Sequence, residues 1–238
     1  MQNGGFRKLI YPLVMQLSKT RVRNKLVICN VSGISTDSTV IYAVNHTNSS
    51  DIPLACRAAG KHCSVLIGKQ PLFFSDKLFF WLNGAVWVDR KDKQDMHRAK
   101  EDMIRLLRKK QSVIWFPEGT WNQSDNLLML PMKWGIIDVA QISGVRIVPI
   151  VLEYDKVTNQ CLALIGKAMN PDEYSLFDGI NYLRDSMATL RWMAWEENGQ
   201  RLRAALDVDK ERQSFRQDIE DYPPLDWDYE QSIIFHPK

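Results

Sequence analysis

The sequence predicts an α/β fold, a central mostly parallel sheet flanked by helices, and three observations carry that expectation. Short apolar runs that read as buried strands alternate with stretches of helical periodicity. The hydrophobic content, 45% of 238 residues, is that of a chain with a substantial core. No internal repeat or low-complexity linker interrupts the alternation. Strand-then-helix order of this kind lays a sheet between helical layers.

The first element is a basic arm. Between residues 1 and 36 the charged residues are Arg7, Lys8, Lys19, Arg21, Arg23 and Lys25, six bases and no acid. Phe6, Leu9, Ile10, Leu13, Val14 and Leu17 recur at helical spacing and share one face, with Pro12 expected to kink the helix. The run is shorter than the ~20 apolar residues that cross a bilayer. No small-residue cleavage site follows it, so neither a transmembrane anchor nor a signal peptide is expected. Two readings stay open, a helix lying in the plane of a membrane surface and a helix packed on the domain.

Beyond the arm, Val40 to Val44, Ser64 to Ile67 and Ala85 to Val88 read as strands, and Ile52 to Ala59, with Pro53 in its first turn, as a helix. Met96, Ala99, Met103, Leu106, Leu107 and Lys110 mark a second helix that feeds a strand at Val113 to Phe116. A helix from about Lys133 to Ile142 leads through Ser143-Gly144 into a strand at Arg146 to Glu153, and Leu162 to Ile165 adds another. The last sixty or so residues look helical and more polar, and from Glu196 to Lys238 eleven acids face six bases. The organisation expected is an arm over 1–36, an α/β domain over 37–175 and a helical extension over 176–238.

Composition narrows the chemistry. Cys29, Cys56, Cys63 and Cys161 form no CxxC pair and no zinc-like cluster with histidine, so neither a disulfide framework nor a metal site is expected and a reducing, cytosolic setting fits. A net charge of +3 gives no reason to expect nucleic acid as a partner.

Working groups in such sheets collect past the carboxyl ends of strands. His46 follows the Val40 to Val44 run, Asp89-Arg90 follows Ala85 to Val88, and Pro117-Glu118-Gly119-Thr120 follows Val113 to Phe116. The stretch AVNHTNSSDIP therefore has two readings: a strand ending in a turn with Ser50 or Asp51 capping a helix, and a base with its carboxylate partner. A turn at Thr47 to Ser50 returns the chain so that Asp51 can face the His46 imidazole.

NHTNSSD (Asn45 to Asp51), GAVWVDR (Gly84 to Arg90), FPEGT (Phe116 to Thr120) and IVPIVLE (Ile147 to Glu153) resemble, in order, the four motif blocks of the glycerophospholipid acyltransferases, the lysophosphatidic acid acyltransferase family. The likeness runs from about Val40 to Pro171 and takes in Ile67-Gly68-Lys69 and Leu164-Ile165-Gly166. It implies a glycerol-3-phosphate-acyltransferase-like fold, with 37–175 as the catalytic domain. The activity implied is transfer of a fatty acyl group from a thioester, acyl-CoA or acyl carrier protein, to the hydroxyl of a lysophospholipid, foremost 1-acylglycerol-3-phosphate, in phospholipid biosynthesis. The thioester is a co-substrate, no cofactor or metal is implied, and the partners are a membrane surface and its lipid acceptor. The setting implied is peripheral, on the cytoplasmic face of a membrane. By the same resemblance His46 and Asp51 are catalytic, and Arg90, Glu118, Gly119, Thr120, Lys69 and Pro149 bind substrate.

Two positions depart from the pattern. Trp121 stands where the family commonly has arginine, and Asn48 where it commonly has serine. The loss of a charge-assisted contact at Trp121, about 1.5 to 3 kcal/mol, bears on the acceptor and not on the dyad. Three other readings stay open: acylation of a saccharide or polymer hydroxyl, a thioesterase that activates water with the same two residues, and a silent lipid-binding module.

Overall fold

The computed structural model describes residues 4–197, apart from 23, 36, 70–71, 123–127 and 156–157, together with residue 213. In chain order the described elements are α1 (Gly4–Arg21), β1 (Lys25–Asn30), β2 (Val40–Val44), α2 (Asp51–Ala59), β3 (Ser64–Gly68), α3 (Phe74–Asn83), β4 (Val86–Val88), α4 (Lys93–Arg108), β5 (Val113–Trp115), α5 (Gly135–Ser143), β6 (Arg146–Asp155), β7 (Gln160–Ile165) and α6 (Leu176–Glu197). The seven strands form one sheet in the order β1-β7-β6-β2-β5-β3-β4. β6, β2, β5, β3 and β4 are mutually parallel, and β7 with β1 runs against them. The expected mostly parallel sheet between helical layers is what forms.

β2 is the central strand, and all five of its residues are buried because both faces of the sheet are covered. Val40, Tyr42 and Val44 point into a core built with α1, α2 and α3, and Ile41 and Ala43 into one built with α4, α5 and α6. α4 turns Ala99, Met103 and Leu107 inward at four-residue steps, and Asp92 caps its first turn by accepting from Gln94 and Asp95 N–H.

Elements of the expected arm and of the expected extension both pack with the sheet. The arm is not separate, since β1 lies inside it and pairs with β7 over six residues. α1 runs unbroken past Pro12, buries Val14 and Met15, and the Tyr11 hydroxyl donates to the Cys56 carbonyl at 2.8 Å. The apolar stripe is therefore split: Ile10 and Val14 pack inward while Phe6, Leu9 and Leu13 stay exposed. The side chain of Leu17 lies outside the described residues. Likewise α6 is no appendage, because Ile180, Leu183 and Met187 belong to the second core. The remainder of the expected extension, apart from residue 213, lies outside the described residues.

Two elements were not anticipated. β1 is an edge strand with an exposed pattern, and α3 is apolar on both sides, burying Phe80 and exposing Phe74, Leu78 and Trp81. α3 packs against α1, so Phe6, Leu9 and Leu13 share the outer surface with an apolar neighbour helix.

The division of α1 into two faces is directly testable. Val14→Asp places a charge at a site only 4% exposed and should lower unfolding free energy by about 3 kcal/mol or more. Leu13→Asp, at 63% exposure, should stay within about 0.5 kcal/mol of the parent in urea unfolding.

Candidate active site

The loop after β2 enters α2 on one face of the sheet, and the loop after β5 enters α5 on the other. Adjacent parallel strands whose connections leave in opposite directions open a crevice at their carboxyl ends. His46 stands there, at the end of the central strand, its side chain 16% exposed.

Asp51, the first residue of α2, is wholly buried. Its Oδ2 accepts from Thr47 N–H at 2.6 Å and Asn48 N–H at 2.8 Å, and lies 2.9 Å from His46 Nδ1. Its Oδ1 accepts from the Tyr154 hydroxyl at 2.5 Å. The expected turn thus brings the carboxylate to the imidazole. The helix itself starts from Ser50, which makes no side-chain cap. Asn48 uses its side-chain oxygen to accept from Ser50 N–H at 2.8 Å, which shapes that turn. Burial, and then the charge of Asp51, push the Tyr154 phenol well up, so it serves as a fixed donor.

The backbone around His46 is pinned from both neighbouring strands. Asn45 gives its amide to the Leu152 carbonyl at 3.0 Å and accepts from Leu152 N–H at 2.7 Å, closing β2 onto β6. Glu118, after β5, accepts from His46 N–H at 3.1 Å through Oε1 and from Leu130 N–H at 2.8 Å through Oε2. Burial pushes the Glu118 carboxyl up to about 7, opposed by those two N–H donors and by the positive charge of Arg191. The imidazole packs on Phe116 with ring centroids 4.4 Å apart.

Arg90, after β4, donates from Nη1 to the Gly119 carbonyl. Gly119 has φ +75°, a conformation open to glycine that orients the turn after Glu118. Gly68 gives room on the other side, since a Cβ there would lie 3.4 Å from Arg90 Nε. Arg90, Gly119, Glu118 and His46 are therefore linked in one run of contacts, with Thr120 buried beside them. Lys69 reaches Asp95 at 3.1 Å instead, where Asp95 also accepts from Asp89 N–H at 2.7 Å. Those contacts, the Asp89 N–H first and Arg98 and Lys69 after it, hold the Asp95 carboxyl down at about 2. Pro149 is buried within β6 opposite Ala43, three residues before His46 on the neighbouring strand, and the structure does not gather it with the others.

Sequence reasoning passed over the contacts of four residues. Asn45, just past β2, ties the peptide before His46 to β6, and Tyr154, on β6, holds Asp51; the only signal for either was a polar residue ending an apolar run. Trp121 was noted as a departure, yet its indole Nε1 lies 2.6 Å from His46 Nε2. Arg191, on α6, ties Glu153 at 3.3 Å and the Leu128 carbonyl at 2.5 Å to this end of the sheet. Among the described residues, no group of three or more His, Cys, Asp or Glu side chains is arranged to hold a metal ion.

Chemically, the arrangement offers one imidazole backed by a carboxylate, with a cation two contacts away. The sequence pattern of the Acyltransferase family matches residues 22–153. The 1-acyl-sn-glycerol-3-phosphate acyltransferase of Escherichia coli (strain K12) is 32% identical over 115 residues, 46% of this chain and 45% of that protein. The 1-acyl-sn-glycerol-3-phosphate acyltransferase alpha of Ovis aries is 34% identical over 111 residues, 45% of this chain and 38% of that protein. The chain thus spans less than half the length of these relatives. Among solved structures, the 1-acyl-sn-glycerophosphate (LPA) acyltransferase PlsC from Thermotoga maritima shares the fold, with a TM-score of 0.64 over 85% of both chains at 19% identity. With more than half of its length matched, including the dyad, the crevice and the strands that carry them, this chain belongs to the Acyltransferase family.

Proposed function

We propose that the protein is an O-acyltransferase that moves a fatty acyl group from a thioester, acyl-CoA or acyl carrier protein, to the hydroxyl of 1-acylglycerol-3-phosphate or a closely related lysophospholipid. The observation that carries this reading is the His46–Asp51 pair, 2.9 Å apart at the end of the central strand of a chain in this family. A neutral alcohol is a poor nucleophile, so a base must take its proton as the new bond forms. His46 Nε2 takes that proton, the acceptor oxygen attacks the thioester carbon, and the imidazolium returns the proton to the departing thiolate. Asp51 fixes the tautomer and stabilises the imidazolium, and its other three hydrogen bonds keep it in place.

Arg90 binds the acceptor phosphate. A guanidinium presents a planar fork of donors that suits phosphate, and Gly119 and Thr120 shape the wall beside it. Glu118 serves by bracing, since both its oxygens are engaged by backbone N–H groups. Lys69 holds Asp95, which accepts from the N–H of Asp89 beside Arg90, and Pro149 serves the acyl-donor side. The enzyme works at a membrane surface, where Phe6, Leu9 and Leu13 of α1 and Phe74, Leu78 and Trp81 of α3 enter the headgroup layer and the basic residues near α1 meet anionic lipid. None of the described helices is long and apolar enough to cross a membrane.

The deciding experiment incubates the purified protein with radiolabelled palmitoyl-CoA or acyl carrier protein and a panel of lysolipids, then identifies the labelled product. His46→Ala should lower turnover by ~10² to 10⁴ with the fold intact. Near-parental turnover in a folded His46→Ala protein removes the mechanism. Arg90→Ala should raise the acceptor Michaelis constant by roughly 10- to 150-fold, the equivalent of a lost contact of about 1.5 to 3 kcal/mol, with the donor constant little changed. An unchanged acceptor constant would instead favour an uncharged saccharide hydroxyl.

Glu118 supplies a pH test. Its folded-state value, about 7, lies above its ordinary value of 4.5. Between those two the folded protein holds a proton that the unfolded chain has released, so stability falls as pH rises through this window. Glu118→Gln should remove that component, seen as urea midpoints at pH 5 and pH 8 that draw together. It should also cost about 1 to 3 kcal/mol, because an amide cannot accept from both N–H groups.

A further inference from the structure

Trp121 meets His46 at the atom on which the chemistry depends. Its Nε1 lies 2.6 Å from Nε2, with the rings edge-on at 72° and centroids 5.4 Å apart. An indole nitrogen only donates. Nε2 is therefore the acceptor, and the ring proton sits on Nδ1, where it is given to Asp51. The one lone pair able to take a proton from a hydroxyl is already engaged. Water and an acceptor hydroxyl must both compete with the indole for it.

The loop that carries Trp121 is anchored to the same histidine a second time, since Asn122 N–H donates to the His46 carbonyl at 2.8 Å. Rotation of the indole side chain, with the backbone held, is thus enough to free Nε2. A water molecule has nothing beyond that single hydrogen bond with which to displace the indole. An acceptor that also engages Arg90 brings binding energy from elsewhere.

Resting on the reading of His46 as the base, we propose that Trp121 is a reversible cap on Nε2 that keeps His46 from activating water against a bound thioester until an acceptor hydroxyl takes the indole's place. In the suppressed side reaction, water oxygen bonds to the thioester carbon and its proton passes to Nε2. The carbon–sulfur bond breaks and the thiolate takes the proton, giving fatty acid and free thiol. In transfer the acceptor oxygen follows the same course and the products are ester and free thiol. The cap accordingly sets the ratio of transfer to hydrolysis.

Trp121→Phe keeps a ring and removes the donor. Thiol release from palmitoyl-CoA, followed with a thiol reagent without acceptor, should rise about tenfold in this variant, a factor that corresponds to ~1.4 kcal/mol. With lysophosphatidic acid present, the acceptor Michaelis constant should fall by a similar factor at unchanged turnover. The double variant His46→Ala/Trp121→Phe should lose the gain in hydrolysis. Unchanged hydrolysis and an unchanged acceptor constant in a Trp121→Phe enzyme that still transfers would overturn the cap, whereas a gain that survives in the double variant would overturn His46 as the base. A readout on the parent protein guards against a variant that fails to fold. Carbethoxylation of His46 by diethyl pyrocarbonate, followed by peptide mass spectrometry, should be at least about tenfold slower than that of His97, whose side chain is 74% exposed. Equal rates would show that the lone pair is free and the cap absent.

Discussion

The structure is organised around one buried carboxylate. Asp51 has no exposed surface, and taking such a group out of water is tolerable only where donors replace the solvent. Four do so: two backbone N–H groups of the turn, the imidazole, and a phenol from β6. Three separate parts of the chain must therefore arrive together, the end of β2, the start of α2 and the end of β6. The parallel pairing of β2 with β6 brings two of them to the same edge of the sheet, and the short loop from β2 to α2 brings the third. Removing the Tyr154 hydroxyl would take from Oδ1 its donor, while Oδ2 shares three, so the dyad and the fold stand on the same contacts.

The same economy governs Glu118. It is the second wholly buried acid at this end of the sheet, and it too meets backbone N–H groups, one from His46 and one from Leu130. The two carboxylates differ in consequence. Asp51 meets the imidazole side chain, while Glu118 holds the peptide behind it. Arg191 joins the arrangement from α6, which makes the late helix a participant in the geometry of the crevice.

What the sequence revealed follows from how burial writes patterns. β2 was legible because every residue in it is buried, β3 because three of its five are buried and none is exposed, and α4 because its inward residues repeat at four-residue steps. β1 was hidden because an edge strand with exposed side chains leaves no alternation to read. α3 was hidden because it faces a core on one side and presents aromatic residues on the other, which erases the periodicity. Within the site, His46 and Asp51 are five residues apart and could be paired by eye. Tyr154 is 103 residues from Asp51, and Leu152 is 107 from Asn45, so their meeting is a property of the sheet and not of any local stretch. The arm and the extension were divided from the domain by charge, yet charge marks surface, and both α1 and α6 turn an apolar side inward.

Asn45 shows how a strand can end without fraying. One N–H and the oxygen of its side-chain amide stand side by side as they do in a peptide group, and Leu152 meets both. The amide is a surrogate rung, added to the ladder after the backbone has begun to turn away. β6 can therefore continue past its neighbour with its own polar groups satisfied, and the residues after His46 owe nothing to strand pairing. Their number is set by the reach of a carboxylate back to an imidazole. The spacing between histidine and aspartate is thus a measured clasp, closed at one end by the sheet and at the other by the first turn of a helix.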